Sequence, residues 1–156
     1  MKKRSVFIVC IVLYIFSVFA CGVQAKEYIP LDSDKTIEYF SDGSYIITEL
    51  SEYNSFDKSS ISKSKTSTYY DNNNTSVWFV RLTATFSYNG TTATCTSSST
   101  SYTIYDTAWQ VTNAVASRSG NTATGDFTVK KYFLGIPIKT VNRTLTLTCS
   151  PSGVVT

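Results

Sequence analysis

Hydrophobic and polar residues alternate along most of the chain beyond residue 35, which is the pattern of β-strands with one buried face. The longest run covers 77–88, where every second residue is apolar and the intervening ones are mostly Thr, Ser and Arg. Its apolar face comprises Trp78, Val80, Leu82, Ala84, Phe86 and Tyr88. Strict alternation of this length predicts a strand with one face in a core and the other largely in water.

Turn-forming residues separate further predicted strands. Asp42-Gly43 lies between strands over 36–40 and 45–50, and Asn89-Gly90 ends the 77–88 strand. Other strands are predicted over 66–70, 91–105, 108–117, 121–133 and 138–149, with turns at 71–74, 119–121 and 134–137 and a bulge near the serines at 97–99. The later strands are expected to turn inward Trp109, Val111, Val115, Ala123, Phe127, Val129, Phe133, Val141, Leu145, Leu147 and Cys149. The Ser- and Lys-rich segment 51–65 predicts a long loop or a weak edge strand.

The first 25 residues follow a different pattern. Basic residues at 2–4 precede an uncharged apolar run over 5–20, and Val23 and Ala25 precede Lys26. This order predicts a secretory signal peptide over 1–25. As a helix the run would span about 24 Å, short of a bilayer core of roughly 30 Å. We expect cleavage after Ala25 and a secreted, extracellular domain over 26–156. The alternatives are lipidation of Cys21, which would anchor the protein at the cell surface, and retention of the apolar run as an N-terminal anchor.

Removing the leader changes the charge balance. The full chain has 14 basic and 11 acidic residues, and the loss of Lys2, Lys3 and Arg4 leaves 11 of each. Overall charge therefore gives no indication of a nucleic-acid partner, which would need a basic face. Acidic residues concentrate in 26–71 and basic residues in 72–156. This separation indicates either faces that attract each other within one domain or a basic partner-binding face on the C-terminal half.

Cys95 and Cys149 remain after either kind of processing. In an oxidising compartment two such cysteines predict one disulfide, with two buried thiols as the alternative. The bond would close a loop of 54 residues, worth about 4 kcal/mol by chain-entropy arithmetic. With Trp109 between them, the cysteines and the strand pattern predict an antiparallel β-sandwich of immunoglobulin-like architecture, including an N-terminal hairpin and polar loop over 26–65. Leu147 stands where a tyrosine corner would place Tyr, so the comparison extends to architecture alone.

Two segments carry a resemblance to known proteins. They read LTATFSYNGTTATC over 82–95 and LTLTCSPSG over 145–153, with Trp109 and the turn at 119–121 between them. With these motifs the chain resembles, over 65–153, a group of small secreted β-domain proteins of Gram-positive, clostridia-type bacteria. The resemblance implies a secreted β domain and supplies no site residue.

The chain contains no histidine, which excludes Ser-His-Asp and Cys-His catalysis and the usual zinc sites. No phosphate-binding glycine loop or EF-hand pattern occurs, so neither a cofactor nor a metal is expected. A small carboxylate-dependent hydrolase is the remaining enzymatic alternative. Its candidate carboxylates are Asp32, Asp34, Glu38, Asp42, Glu49, Glu52 and Asp57. Most lie in or beside polar turns, where carboxylates are ordinarily solvated, so we predict that the protein is not an enzyme.

Four tyrosines near strand ends or on the polar phase are candidate ligand contacts: Tyr69, Tyr70, Tyr105 and Tyr132. Tyrosine can stack on a sugar ring or anchor a protein partner; alternatively these rings fill space between strands. We therefore predict a secreted, non-enzymatic protein that binds an unidentified protein or glycan partner at the bacterial surface or in its surroundings. The alternative is a carbohydrate-binding module that uses surface tyrosines.

Overall fold

The structure, a computed structural model, describes residues 28–32, 34–53 and 59–156. In this part of the chain nine antiparallel strands form and no helix does, which confirms the all-β class. The strands are β1 (Tyr28–Asp32), β2 (Lys35–Tyr39), β3 (Tyr45–Tyr53), β4 (Ser60–Tyr70), β5 (Ser76–Tyr88), β6 (Ala93–Ile104), β7 (Trp109–Ser119), β8 (Thr122–Phe133) and β9 (Ile136–Thr148). The predicted signal peptide over 1–25 and the lipidation candidate Cys21 lie outside the described residues. Within those residues there is no helix of the length and apolarity needed to cross a membrane.

The strands form two sheets, each with its strands in sequence order. One sheet holds β1 to β6 and the other β7 to β9. Apolar residues of both sheets contribute to one core, so the arrangement is sandwich-like. An immunoglobulin domain instead distributes successive strands between its two sheets. The predicted immunoglobulin-like architecture is therefore not confirmed.

The core consists largely of the residues that alternation marks as inward. Trp78, Val80, Leu82 and Phe86 of β5 are completely buried. They face buried residues of the smaller sheet, among them Phe127, Val129, Leu145 and Leu147. Gly125 of β8 lies opposite Leu82, where an added Cβ would lie 3.3 Å from the leucine side chain. The absence of a side chain at this glycine lets the two sheets approach closely.

The segment predicted as a polar loop or weak edge strand contains a central strand. β4 pairs with β3 on one side and with β5 on the other. On its outward face Ser62 and Ser64 form side-chain hydrogen bonds with Thr85 and Thr83 of β5, each 2.8 Å long. Because neighbouring strands satisfy these hydroxyl groups, a serine-rich segment can lie in the middle of the sheet. For the part of the segment within β4, neither the loop nor the weak edge strand predicted over 51–65 is confirmed, because the strand there is central.

Irregularities in pairing decide which residues point inward. The predicted bulge in β6 is confirmed by a register shift opposite Thr85 and Phe86. A second shift, after Val111 in β7, leaves Val115 55% exposed, while the alanines at 114 and 116 pack on the core. Phe133 is 64% exposed because it lies at the far end of the β8–β9 hairpin. The predictions that Val115 and Phe133 point inward are wrong.

Ion pairs connect the acidic first half of the chain with the basic second half. Arg143 of β9 lies 2.6 Å from Glu38 of β2, and Lys139 of β9 lies 2.6 Å from Asp42 in the β2–β3 turn. Each distance joins a side-chain nitrogen to a carboxylate oxygen across the two sheets. At these two pairs, the acidic and basic halves of the chain attract each other within the domain.

Cys95 and Cys149 are free and buried, so the predicted disulfide is not formed. Each Sγ donates a hydrogen bond to a nearby carbonyl oxygen, that of Ser97 or Ser150. Burial raises the pKa of both thiols, and the proximity of Cys95 raises the pKa of Cys149 further. A thiol that stays protonated is a poor nucleophile.

We expect both thiols to be unreactive until the protein unfolds. The chain from Lys26 onward should show almost no reaction with a thiol-specific disulfide reagent under native conditions. In denaturant without reductant, two thiols per chain should react, because Cys95 and Cys149 are the two cysteines of residues 26–156. In the Cys95→Ser variant one thiol per chain should react. Release of no thiol from the unfolded, unreduced protein would mean that the two cysteines are bonded and would contradict the structure.

Candidate functional site

The β8–β9 hairpin ends in a two-residue turn with an unusual sequence. Phe133 pairs with Ile136, so Leu134 and Gly135 form the turn, with φ angles of 50° and 79°. Two positive φ angles correspond to a type I′ turn, for which Asn-Gly is the favoured sequence. Leucine rarely adopts a positive φ because its Cβ then crowds the backbone. The requirements of the turn therefore do not explain Leu134.

Large apolar side chains around this turn are exposed to solvent. Phe133 is 64% exposed, Leu134 86%, Ile136 65% and Ile138 59%. We call these four residues the hairpin tip. Exposed apolar surface of this kind typically marks an interaction site. The hairpin tip is therefore the strongest candidate site in the part of the chain that the structure describes.

The core holds the β8 side of the hairpin in place. The backbone N–H of Tyr132 donates to the carbonyl oxygen of Ala108 at 2.7 Å. Lys131 pairs with Trp109, and its Nζ lies 5.9 Å from the centroid of that indole. Trp109 is itself buried in the core. The hairpin tip thus extends from a fixed base.

Lys139 fixes the β9 side of the hairpin to the larger sheet. Its Nζ donates to Asp42 Oδ2 at 2.6 Å and to Tyr69 Oη at 2.8 Å. Burial opposes ionisation of Asp42, but hydrogen bonds from Lys139 and Ser44 outweigh it and lower the pKa of Asp42 to about 2. Burial also opposes the charge of Lys139, and its bonds to Asp42 and Tyr69 nevertheless raise the pKa of the lysine. Both groups therefore stay charged at neutral pH.

This pair predicts a contribution to stability that disappears in acid. The pKa of Asp42 in the fold is about 2, below the ordinary value of 3.8, so the ionised carboxylate stabilises the fold above that ordinary value. This stabilisation is lost as the pH falls from 3.8 to about 2, where the carboxylate becomes protonated in the fold. Because the side chain of Asp42 is 54% exposed, we expect the pair to contribute at most about 1 kcal/mol to the free energy of unfolding.

Denaturant unfolding of the wild type and of Lys139→Met measures this contribution. The difference between their free energies of unfolding should shrink between about pH 5 and about pH 2, because protonation of Asp42 removes the ion pair from the wild type. A difference that stays constant over this interval would show that the pair does not act through the charge of Asp42.

The predicted ligand-contact tyrosines occupy different environments. Tyr69 is only 3% exposed and stacks on Trp78 with ring centroids 5.1 Å apart, so its prediction as a surface aromatic is wrong. It occupies the inward phase of β4, opposite Trp78. Tyr105 is 57% exposed and packs beside Phe79, and Tyr132 is half-buried at the base of the hairpin tip.

Tyr70 belongs to a row of three tyrosines on the outward face of the larger sheet. Its ring is nearly parallel to that of Tyr45, with an interplanar angle of 11° and centroids 5.0 Å apart, and Tyr39 lies 5.7 Å beyond Tyr45. Tyr45 and Tyr70 each cover one ring face of the other, which leaves less ring surface for a sugar. Stacking on a sugar requires a free ring face. This row therefore favours carbohydrate binding less than the sequence suggests.

Three of the predicted carboxylates form ion pairs with basic side chains, and Asp34 and Glu49 both line the cleft described below. Glu38 and Asp42 bind Arg143 and Lys139, and Glu49 lies 3.0 Å from Lys35. The side chains of Asp32, Glu52 and Asp57 lie outside what the structure describes. No group of three potential ligands for a metal ion occurs among the residues that it does describe.

A cleft of about 490 Å³ opens between the sheets near Asp34 and Glu49. Lys65 and Arg143 line it as well, and each of them is already engaged. Lys65 Nζ donates to the carbonyl oxygen of Thr146 at 2.8 Å, and Arg143 binds Glu38. The cleft therefore carries polar contacts that join the sheets.

Sequence reasoning missed the hairpin tip, although the sequence carried a signal. The segment FLGIPI over 133–138 places four large apolar residues around a turn, where polar residues are usual. Leucine in place of asparagine before Gly135 is the most specific part of that signal. Comparison with protein-family models, with curated proteins and with solved structures finds no match for the chain.

Proposed function

We propose that this protein is a secreted, non-enzymatic binding protein that attaches to the bacterial surface through its hairpin tip. Leu134 carries the proposal, because it is 86% exposed and occupies a left-handed turn position. A polar residue would suit both the turn and the solvent better. Backbone strain that persists without a benefit to the fold is a characteristic of functional sites.

The exposed area accounts for weak, reversible attachment. Burial of a large apolar side chain is worth roughly 1.5–3 kcal/mol. For the four tip residues, which are 59% to 86% exposed, burial would contribute about 6 kcal/mol in total. The loss of translational and rotational freedom offsets much of this gain. One tip therefore binds weakly, and a further contact or several copies would be needed for firm attachment.

The expected route of the protein supports the proposal. The predicted signal peptide would deliver the domain to the outer side of the cytoplasmic membrane, where the hairpin tip meets the cell envelope. If Cys21 were lipidated instead, the lipid and the hairpin tip would act together at one surface. Two weak membrane signals give stable anchoring where one does not.

Sedimentation with isolated envelopes of a Gram-positive bacterium tests the proposal. The secreted protein should pellet with the envelopes, and Leu134→Asn should bind about tenfold more weakly because it removes the most exposed apolar side chain. The same change creates the favoured Asn-Gly turn, so the thermal midpoint should stay equal or rise slightly.

Val154→Asn is the matched control. Val154 is also apolar and 61% exposed, but it lies outside the hairpin tip, in the C-terminal segment. This variant should bind as the wild type does. The proposal would be overturned if the wild type failed to pellet with the envelopes, or if Leu134→Asn bound as well as the wild type.

A further inference from the structure

We infer that the hairpin tip inserts into the interfacial region of an anionic lipid bilayer, an inference that rests on the proposed function. The hairpin is long enough for this purpose. Pairing of β8 with β7 ends at Lys131, whereas pairing with β9 continues to Phe133. The N–H of Tyr132 still bonds to Ala108, directly before β7, so Phe133 and the turn extend beyond the neighbouring chain. At about 3.3 Å per residue, Phe133 and Leu134 reach roughly 7 Å further, within the depth to which interfacial segments enter a bilayer.

The shape of the hairpin tip favours lipid over a protein partner. Phe133 and Ile136 form the last pair of a two-stranded hairpin, and Leu134 is the outermost large side chain. The result is a narrow, convex apolar projection. A protein partner would need a matching pocket to bury all of its sides, whereas lipid chains rearrange around such a projection.

Backbone polar groups near the hairpin tip are largely paired within the protein and so depend little on hydrogen bonds to water. In a bilayer each unsatisfied backbone polar group is costly, so a segment that enters it must pair its own groups. Tyr132 and Phe133 pair with Pro137 and Ile136 across the hairpin, and the N–H of Tyr132 is bound by Ala108. Pro137 has no N–H, which removes one donor from the β9 edge. The hairpin is thus better suited to an apolar medium than an open loop would be.

Lysines border the hairpin tip on the side toward the domain. Lys130 and Lys131 precede it in β8, and neither is within ion-pair distance of a carboxylate in the ranges that the structure covers. Lys139, in β9, is neutralised by Asp42. Two lysines beside an apolar projection fit the anionic headgroups of a bilayer.

Two carboxylates lie in turns at the same end of the domain. Asp71 accepts hydrogen bonds from the N–H groups of Asn73 and Thr75, and Asp106 accepts one from the N–H of Ala108. These bonds keep each carboxylate directed into its own turn. Lys130 and Lys131 lie on a strand that carries the hairpin tip, whereas these two carboxylates lie in turns between other strands.

Sedimentation with lipid vesicles tests the inference. The secreted protein is mixed with sucrose-loaded vesicles of phosphatidylglycerol and phosphatidylcholine in equal parts, and with vesicles of phosphatidylcholine alone. We expect binding to the mixed vesicles that is about tenfold weaker for Leu134→Asn and unchanged for Val154→Asn. Ile136→Thr should also bind more weakly. Since Ile136 lies outside the two-residue turn, this result would show that the loss in Leu134→Asn does not come from a change in turn conformation alone. Lys130→Gln with Lys131→Gln should weaken binding several-fold, as should added salt or the uncharged vesicles.

Other outcomes would overturn the inference in distinguishable ways. Tip-dependent binding to envelopes without binding to either vesicle would disprove the lipid partner and leave the proposed function standing, with an envelope protein or glycan as the partner. Binding to neither envelopes nor vesicles would disprove both. Equal binding of the wild type and Leu134→Asn to vesicles would disprove the role of the hairpin tip. A dimer that Leu134→Asn abolishes, together with an absence of vesicle binding, would identify a second copy of the chain as the occupant.

Discussion

Replacement of Trp78 by alanine is expected to lower the free energy of unfolding by about 4 kcal/mol, a large part of the stability of a small domain. Trp78 is completely buried, stacks on Tyr69 and lies 6.1 Å from Trp109, measured between ring centroids. Its side chain therefore packs against both sheets. Its Nε1 has no hydrogen-bond partner among the described residues. The loss should thus come from packing and from the cavity left behind.

Urea unfolding followed by far-ultraviolet circular dichroism measures this effect. Trp78→Phe should retain much of the stability, because it keeps an aromatic ring and removes an unsatisfied donor. Phe133→Ala is the control, since this ring is 64% exposed, and it should change the stability by less than about 0.5 kcal/mol. A similar loss in Trp78→Ala and Phe133→Ala would contradict the description of where the core lies.

The second large effect is expected at Arg143, whose replacement by alanine should cost about 3 kcal/mol. Its side chain and that of Glu38 are each 16% exposed and lie 2.6 Å apart between nitrogen and oxygen. Arg143 also donates to Thr48 Oγ1 of β3 at 3.3 Å. Removal of the arginine takes its ion-pair partner away from a carboxylate that is only 16% exposed, which is more costly than the loss of both charges together.

Two comparisons make this prediction specific. The double variant Arg143→Met with Glu38→Gln should lose less stability than Arg143→Ala, because neither charge remains. Lys35→Ala breaks the pair with Glu49, whose side chains are 48% and 42% exposed, and should cost less than about 1 kcal/mol. An equally small loss in Arg143→Ala would show that the pair between the sheets behaves as a surface pair.

The strands that sequence reasoning predicted correctly are those with a clear apolar face. β5 is the best example, because alternate residues from Trp78 to Phe86 enter the core. β4 lacked that signal, since its central position depends on serine hydroxyl groups that bind threonines of another strand. Such partners are distant in sequence and leave no periodic pattern. The bulge in β7 was missed for a related reason, because one extra residue reverses every later inward assignment.

The candidate site was harder to predict than the fold. Alternation assigns a residue to one face of a strand but does not show where the core ends along that strand. Alternation therefore assigned Phe133 to the core, although this residue lies beyond it. The opposite error occurred at Tyr69, which was assigned to the surface although it is buried. The short strand predicted around it did not reveal its pairing with Trp78. For the cysteines, the spacing was compatible with a disulfide, but the orientation of the two thiols depends on the fold.

A fluorophore on the hairpin tip tests the central claim most directly. An environment-sensitive dye is attached to Ile138→Cys, which keeps Leu134 in place, or to Thr91→Cys in the β5–β6 turn at the opposite end of the domain. Labelling should be specific because Cys95 and Cys149 are buried. With bacterial envelopes added, the dye at position 138 should shift to shorter wavelength and brighten, while the dye at position 91 should not change. A shift at position 91 alone, or no shift at position 138 while the protein pellets with the envelopes, would contradict attachment through the hairpin tip.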